Sequence, residues 1–211
     1  MTIDASGNQA GDAATERGRP VVVVGCPRSG TVFTSRVLRR NGFDVRHERM
    51  VPSGTVDAMS VIRRLPDDAL VLHQVRHPLS AIRSMQTLTL GTLRRLARAN
   101  AVLASDIEKR RLEVCARIWL FHNAQCAALA LATFQVESDD DWNRACDFVG
   151  LRRMSRVGVH TTTNTRRQKQ EFKNIYAKNL TIDELHCAAG SLVAAAIVRQ
   201  AVSFGYPISD F

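Results

Sequence analysis

With 211 residues, 45% of them hydrophobic, the chain has the size and apolar content of one globular domain. Lys and Arg number 29 against 20 Asp and Glu, giving a net charge of +9, but aromatics are only 6% and no basic run is interleaved with them, which argues against nucleic acid as the main partner. No stretch reaches the ~18 apolar residues of a membrane span, no signal peptide is visible, and Cys26, Cys115, Cys126, Cys146 and Cys187 lack C-x-x-C spacing, so neither a disulfide framework nor a zinc site is indicated and a cytoplasmic setting is expected.

Residues 1–19 show no hydrophobic period and read as a disordered or loosely attached N-terminal arm, leaving 20–211 as a single domain. Val21-Val22-Val23-Val24 predicts a strand buried on both faces. Gly25-Cys26-Pro27-Arg28-Ser29-Gly30-Thr31 follows as a Gly/Pro-punctuated loop, and the next residues open a helix with Val32, Ser35 and Leu38 toward the sheet. Strand, glycine loop and helix start make an anion site, because loop N–H groups and the helix dipole converge on one point. Gly25 and Gly30 have the spacing of a Walker A loop, yet Thr31 stands where its lysine belongs and the cation, Arg28, lies inside the loop.

The first helix is expected to stop near Asn41-Gly42. Phe43-Asp44-Val45-Arg46 alternates as a short second strand, which brings His47 and Glu48 to the carboxyl rim beside the loop. Pro52 to Thr55 reads as a loop and Val56 to Arg64 as a helix. Ala69 to Val75 is the next buried strand; it delivers Arg76-His77-Pro78 to the same rim, with Pro78 in the first turn of a helix that runs to about Thr87. Gly91-Thr92 opens a helical segment with Leu93, Leu96, Ala97 and Val102 on one face.

The longest helix is expected over Asp106 to Leu129, with Ser105 and Glu108 as a capping box and a stripe of Ile107, Val114, Ile118, Phe121 and Cys126. Leu131 to Val136 is a last strand before Glu137, and Ser138 caps a helix with Asp139, Asp140 and Asp141 in its first turn, ending at Gly150. From Leu151 to about Thr165 the pattern gives way to a basic loop holding Arg152, Arg153, Arg156 and His160, with Arg166 and Arg167 beyond it; it is expected to be mobile without an anionic ligand. Thr181 and Glu184 form a capping box for a final helix to about Ser203. Alternating strands and helices predict an α/β three-layer sandwich around a parallel sheet of about four or five strands.

The loop Gly25–Thr31 resembles the 5′-phosphosulfate loop of sulfotransferases that use 3′-phosphoadenosine-5′-phosphosulfate (PAPS). Their second signature, an arginine followed after seven residues by a serine, is matched by Arg76 and Ser84, and Phe134-Gln135-Val136-Glu137 resembles their fifth-strand segment before an acid. The resemblance runs from Val21 to about Gly150 and implies a P-loop-NTPase-like sulfotransferase fold. It implies in-line transfer of a sulfonate from PAPS to a hydroxyl or amine of a small-molecule acceptor, releasing adenosine 3′,5′-bisphosphate (PAP), without a metal.

By the same resemblance Cys26, Pro27, Arg28, Ser29, Gly30, Thr31 and Val32 surround the 5′-phosphosulfate, and Arg28 stabilises charge on the bridging oxygen. Arg76 and Ser84 would hold the 3′-phosphate. Phe33 matches a ring that packs on adenine, or is a core phenylalanine. A Glu or His after the second strand serves as general base in related enzymes, which makes Glu48 the first candidate and His47 the second; a bacterial subgroup carries the same pair. Two departures stand out. The family's Arg-Lys-Gly segment is reduced to Arg166-Arg167 in Thr165-Arg166-Arg167-Gln168-Lys169, still 3′-phosphate candidates, and Val136 replaces a common tyrosine. Alternative readings are a P-loop small-molecule kinase, opposed by the absent Walker lysine, and a non-catalytic nucleotide-binding protein. The expected acceptor is a soluble natural product or glycan intermediate, with no membrane partner, and a homodimer is compatible with the sequence.

Overall fold

The structure, a computed structural model, describes residues 19–52, 54–57, 65–103, 105–156 and 179–211. The predicted arm up to residue 18, the stretch 58–64, His160, Arg166 and Arg167 lie outside the described residues.

Among the described residues, five parallel strands form one sheet: β1 (Val21–Gly25), β2 (Arg46–His47), β3 (Gly54–Asp57), β4 (Leu70–Val75) and β5 (Ala132–Gln135), in the order β2-β3-β1-β4-β5. The valine run of β1 is the middle strand, and its side chains alternate between the two faces. Val21 and Val23 join Leu38, Leu72, Phe134 and Trp142 under α1 (Thr31–Arg40) and α5 (Asp139–Phe148). Val22 and Val24 join Val71 and Cys126 under α4 (Arg111–Leu129). Behind α4 a larger cluster, with Ile82, Leu93, Ile118, Trp119, Leu185 and Ile197, is shared by α2 (Pro78–Met85), α3 (Leu90–Ala99), α6 (Ile182–Ala189) and α7 (Ser191–Ser203). Helices thus cover both faces of a fully parallel sheet, the three-layer α/β arrangement expected. No helix among the described residues is long and apolar enough to cross a membrane.

Several local expectations are corrected. Residues 54–57 form strand β3, where a loop and the start of a helix were expected. Gly54 pairs with Val21 so closely that a Cβ on it would lie 1.8 Å from the Val21 carbonyl oxygen, and its φ is +128°. Pairing with β1 therefore overrides the local pattern, and glycine at the strand start permits it. The second strand is Arg46–His47, not Phe43 to Arg46; Phe43 and Val45 are buried as anchors of the turn after α1 rather than as ladder residues.

Helix α4 begins at Arg111, not Asp106. Asp106 has φ +57°, which breaks the helical path, and the Ser105–Glu108 capping box is not used. Ile107 lies before the helix, and Phe121 is 42% exposed; the inward residues include Val114, Cys115, Ile118, Trp119 and Cys126. Val32 is also turned outward, while Thr34, Ser35, Val37 and Leu38 form the inner face of α1. The last helical stretch is divided at Gly190, φ +85°, into α6 and α7. The Thr181–Glu184 capping box and the Ser138 cap of α5 form as expected.

Candidate anion-binding site

The loop after β1 is shaped by two glycines and one buried amide. A Cβ on Gly25 would lie 2.6 Å from the Gln74 carbonyl oxygen and 2.8 Å from Ser29 Oγ, so only glycine lets the chain turn against β4. The Ser29 N–H donates to the Cys26 carbonyl at 3.0 Å. Gly30 has φ +98°, and its carbonyl takes the N–H groups of Phe33 and Thr34, which starts α1. Gln74 Nε2 donates to the Ser29 carbonyl at 2.6 Å, and Gln74 Oε1 accepts from the Thr34 hydroxyl. One fully buried side chain thus ties the loop to the helix it feeds. The first N–H groups of α1 have no intrahelical partner, and the dipole makes that end favourable for an anion.

Both parts of the two-part sequence signature come together here. Arg28, in the left-handed conformation at φ +73°, donates through Nε to Ser84 Oγ at 2.9 Å. Arg76 Nη1 donates to the Arg28 carbonyl at 3.2 Å. His47 reaches the same place, its Nε2 lying 3.0 Å from Thr31 Oγ1. Glu48 follows at φ +55°, with its N–H bound to the Val56 carbonyl at 2.9 Å and its side chain exposed.

The other candidates divide by where their side chains go. Cys26 points into the core, its Sγ 3.8 Å from Met85 Sδ, and burial pushes its thiol pKa well up, so it offers a site backbone rather than a thiolate. Pro27 is buried and lacks an N–H. Ser29 Oγ is buried without a hydrogen-bond partner among the described residues. The exposed Val32 offers backbone only from the first turn of α1. Phe33 packs against the core under α1, and the Arg156 guanidinium covers its ring at 5.1 Å. Arg156 is held by the carbonyls of Val136 and Ser138 and by Asp139 at 2.9 Å. Burial lowers its pKa, against the opposing pull of Asp139 and Glu137.

Three residues at the site were not singled out from the sequence. Gln74 carried a signal, a lone amide in an apolar strand. Glu137, expected only as the acid closing the last strand, accepts from the His77 N–H at 3.0 Å and lies 3.9 Å from Arg76 Nε. Tyr206, beyond α7, donates its hydroxyl to Glu137 Oε2 at 2.9 Å, and nothing local in the sequence marks it. Burial and the adjacent Glu137 carboxylate raise the Tyr206 pKa, so it remains a donor. His77 sits between Tyr206 and Phe211, with both rings 5.3 Å from its own, and burial lowers its pKa.

No family model, no curated protein and no solved structure matches the chain.

Proposed function

We propose that the protein is a PAPS-dependent sulfotransferase acting on a small-molecule acceptor. The observation that carries this reading is the meeting of Arg28, Ser84 and Arg76 within hydrogen-bond distance at the N-terminus of α1, although the loop and the second signature are 56 residues apart at Arg28 and Ser84. Two arginines beside a helix N-terminus suit a ligand with two separate oxyanions, because guanidinium forks pair with phosphate and sulfate oxygens. An ATP phosphotransferase would be expected to carry a Walker lysine here, and Thr31 stands in that position.

In the proposed reaction the acceptor oxygen attacks sulfur opposite the bridging oxygen. The bond from sulfur to the acceptor forms, and the bond from sulfur to the bridging oxygen breaks. PAP leaves with the bonding electrons, and Arg28 together with the N–H groups of α1 stabilises the charge on it. The acceptor proton goes to a base. Of the two candidates we assign His47, because its ring lies against the loop at Thr31 whereas the Glu48 side chain is turned to solvent. All five cysteines are free thiols, and we place the protein in the reducing cytoplasm.

Calorimetric titration tests the assignment. PAP is expected to bind at least about tenfold more tightly than ATP, with Mg²⁺ making little difference. Equal affinities, or a strict Mg²⁺ requirement, would overturn the reading in favour of a phosphotransferase. Tight PAP binding without transfer from labelled PAPS to any of a broad acceptor panel would favour a non-catalytic binding protein. Once an acceptor is found, His47→Gln should slow transfer by about 10²–10⁴-fold while PAP affinity is kept, and Glu48→Gln should change the rate little. The reverse ranking would move the base to Glu48.

A further inference from the structure

The left-handed conformation of Arg28 is unfavourable for any residue with a side chain and persists where neighbours over-determine it. Three anchors do so here. Ser84 receives the Arg28 side chain, Gln74 holds the next carbonyl, and Arg76 holds the Arg28 carbonyl itself. Ser84 and Gln74 are buried and fixed by their elements. Arg76 lies past the end of β4 with a side chain 31% exposed, so its own orientation has to come from elsewhere.

Glu137 is the charged partner beside it. At 3.9 Å from Arg76 Nε the carboxylate acts as a directing charge rather than a hydrogen-bond acceptor. The carboxylate is itself fixed at both oxygens, by the His77 N–H at 3.0 Å and by the Tyr206 hydroxyl at 2.9 Å. Tyr206 is buried, and its N–H donates to the Ala201 carbonyl at the end of α7. Its ring meets the His77 ring edge-on. A continuous chain of contacts therefore runs from the segment after α7 through Tyr206, Glu137 and Arg76 to the carbonyl of Arg28.

We infer that Glu137 and Tyr206 are positioning residues for the Gly25–Thr31 loop, acting on it through Arg76. This deepens the anion-site reading and rests on it for the site's role, but the geometry of the chain is independent of which anion binds. A merely structural role, holding the C-terminal segment on the sheet, would make the same contacts and predict a different response.

Tyr206→Phe and Glu137→Gln, each in the full chain, test it. Hydrogen exchange by mass spectrometry in the ligand-free protein is the readout, with α4 as the internal control. The loop peptide spanning residues 26–32 is expected to exchange about tenfold faster in both variants, while peptides from α4 keep their rates. Unchanged loop exchange overturns the inference. So does an increase spread equally over α4 with a lowered melting temperature, the response of a structural tie. Faster loop exchange in both variants, in a wild-type protein that does not bind PAP, upholds the positioning chain and overturns the sulfotransfer reading.

Discussion

His73 and Gln74 are successive residues of β4, both without solvent exposure, and they serve opposite faces of the sheet. His73 faces α4 and α7. Its Nε2 lies 3.1 Å from Asn123 Oδ1, its Nδ1 lies 3.3 Å from Thr133 Oγ1, and its ring meets Phe204 edge-on at 5.2 Å. Gln74 faces α1, where it takes the Thr34 hydroxyl and gives a hydrogen to the Ser29 carbonyl. Both satisfy the rule that buried polar groups are paired. The difference lies in the partners. His73 is paired with side chains of neighbouring core elements, so it stabilises packing. Gln74 is paired with the backbone of a strained loop and with the helix that the loop feeds, so it holds the shape of the candidate site.

The largest effect should come from making Gln74 ionisable without changing its shape. Gln74→Glu places a carboxyl with no solvent access beside the Ser29 carbonyl, which can accept a hydrogen bond from the protonated carboxyl but repels a carboxylate. Such burial raises a carboxyl pKa by up to about 3–5 units. The folded pKa then lies above the unfolded value of about 4.3. Stability is therefore retained below that value and lost as pH rises, by about 4 kcal/mol at pH 8. Urea unfolding between pH 4 and pH 8 reads this directly. A variant whose stability relative to wild type is the same at pH 8 as at pH 5 would mean that the loop moves aside and that Gln74 does not hold it.

The wild-type counterpart on the other face has the opposite sign. Burial lowers the His73 pKa to about 4, partly opposed by the Asn123 hydrogen bond and reinforced by His122. The unfolded chain, with an ordinary histidine pKa of about 6.5, binds the proton first. Stability is thus full above about pH 6.5 and is lost as pH falls toward 4, with about 2 kcal/mol gone by pH 5. His73→Gln, a neutral hydrogen-bonding replacement, should remove most of that slope. A wild-type stability curve that stays flat between pH 8 and pH 5 would show that His73 takes up its proton without hindrance.

This contrast also marks what the sequence could reveal. The valine run, the two glycines and Arg28 are contiguous, and each obeys a local rule, so β1, the loop and α1 were legible. Arg76 and Ser84 were picked out by the resemblance to a sulfotransferase signature, and the fold brings each of them into contact with Arg28. Strand β3 was missed because Gly54 becomes a strand residue only by lying against Val21. The start of α4 was misplaced because Ser105 and Glu108 spell a cap that the left-handed Asp106 does not allow. The Tyr206–Glu137 contact joins residues 69 positions apart and is created by the fold alone. Periodicity reports burial, and it reports nothing about which buried polar group faces a loop.

The smallest expected effect separates the two faces with matched substitutions. Thr34 and Thr133 each place a hydroxyl against one of the two β4 residues, and valine replaces either with little change in shape. Thr34 is buried, so Thr34→Val leaves Gln74 Oε1 without its donor in a place shut off from solvent. That should cost about 1–3 kcal/mol and loosen the loop enough to weaken the proposed PAP binding. Thr133 is exposed on the edge strand β5, and its hydroxyl lies 3.3 Å from His73 Nδ1. At that length the contact is a weak one, and valine suits a strand, so Thr133→Val should cost less than Thr34→Val and leave the proposed PAP binding unaltered. Equal losses in urea unfolding would erase the distinction, because Gln74 would then depend on its threonine no more than His73 does. Unequal stability with equal PAP affinity would keep the packing difference but detach Gln74 from the site, making it a core residue like its neighbour.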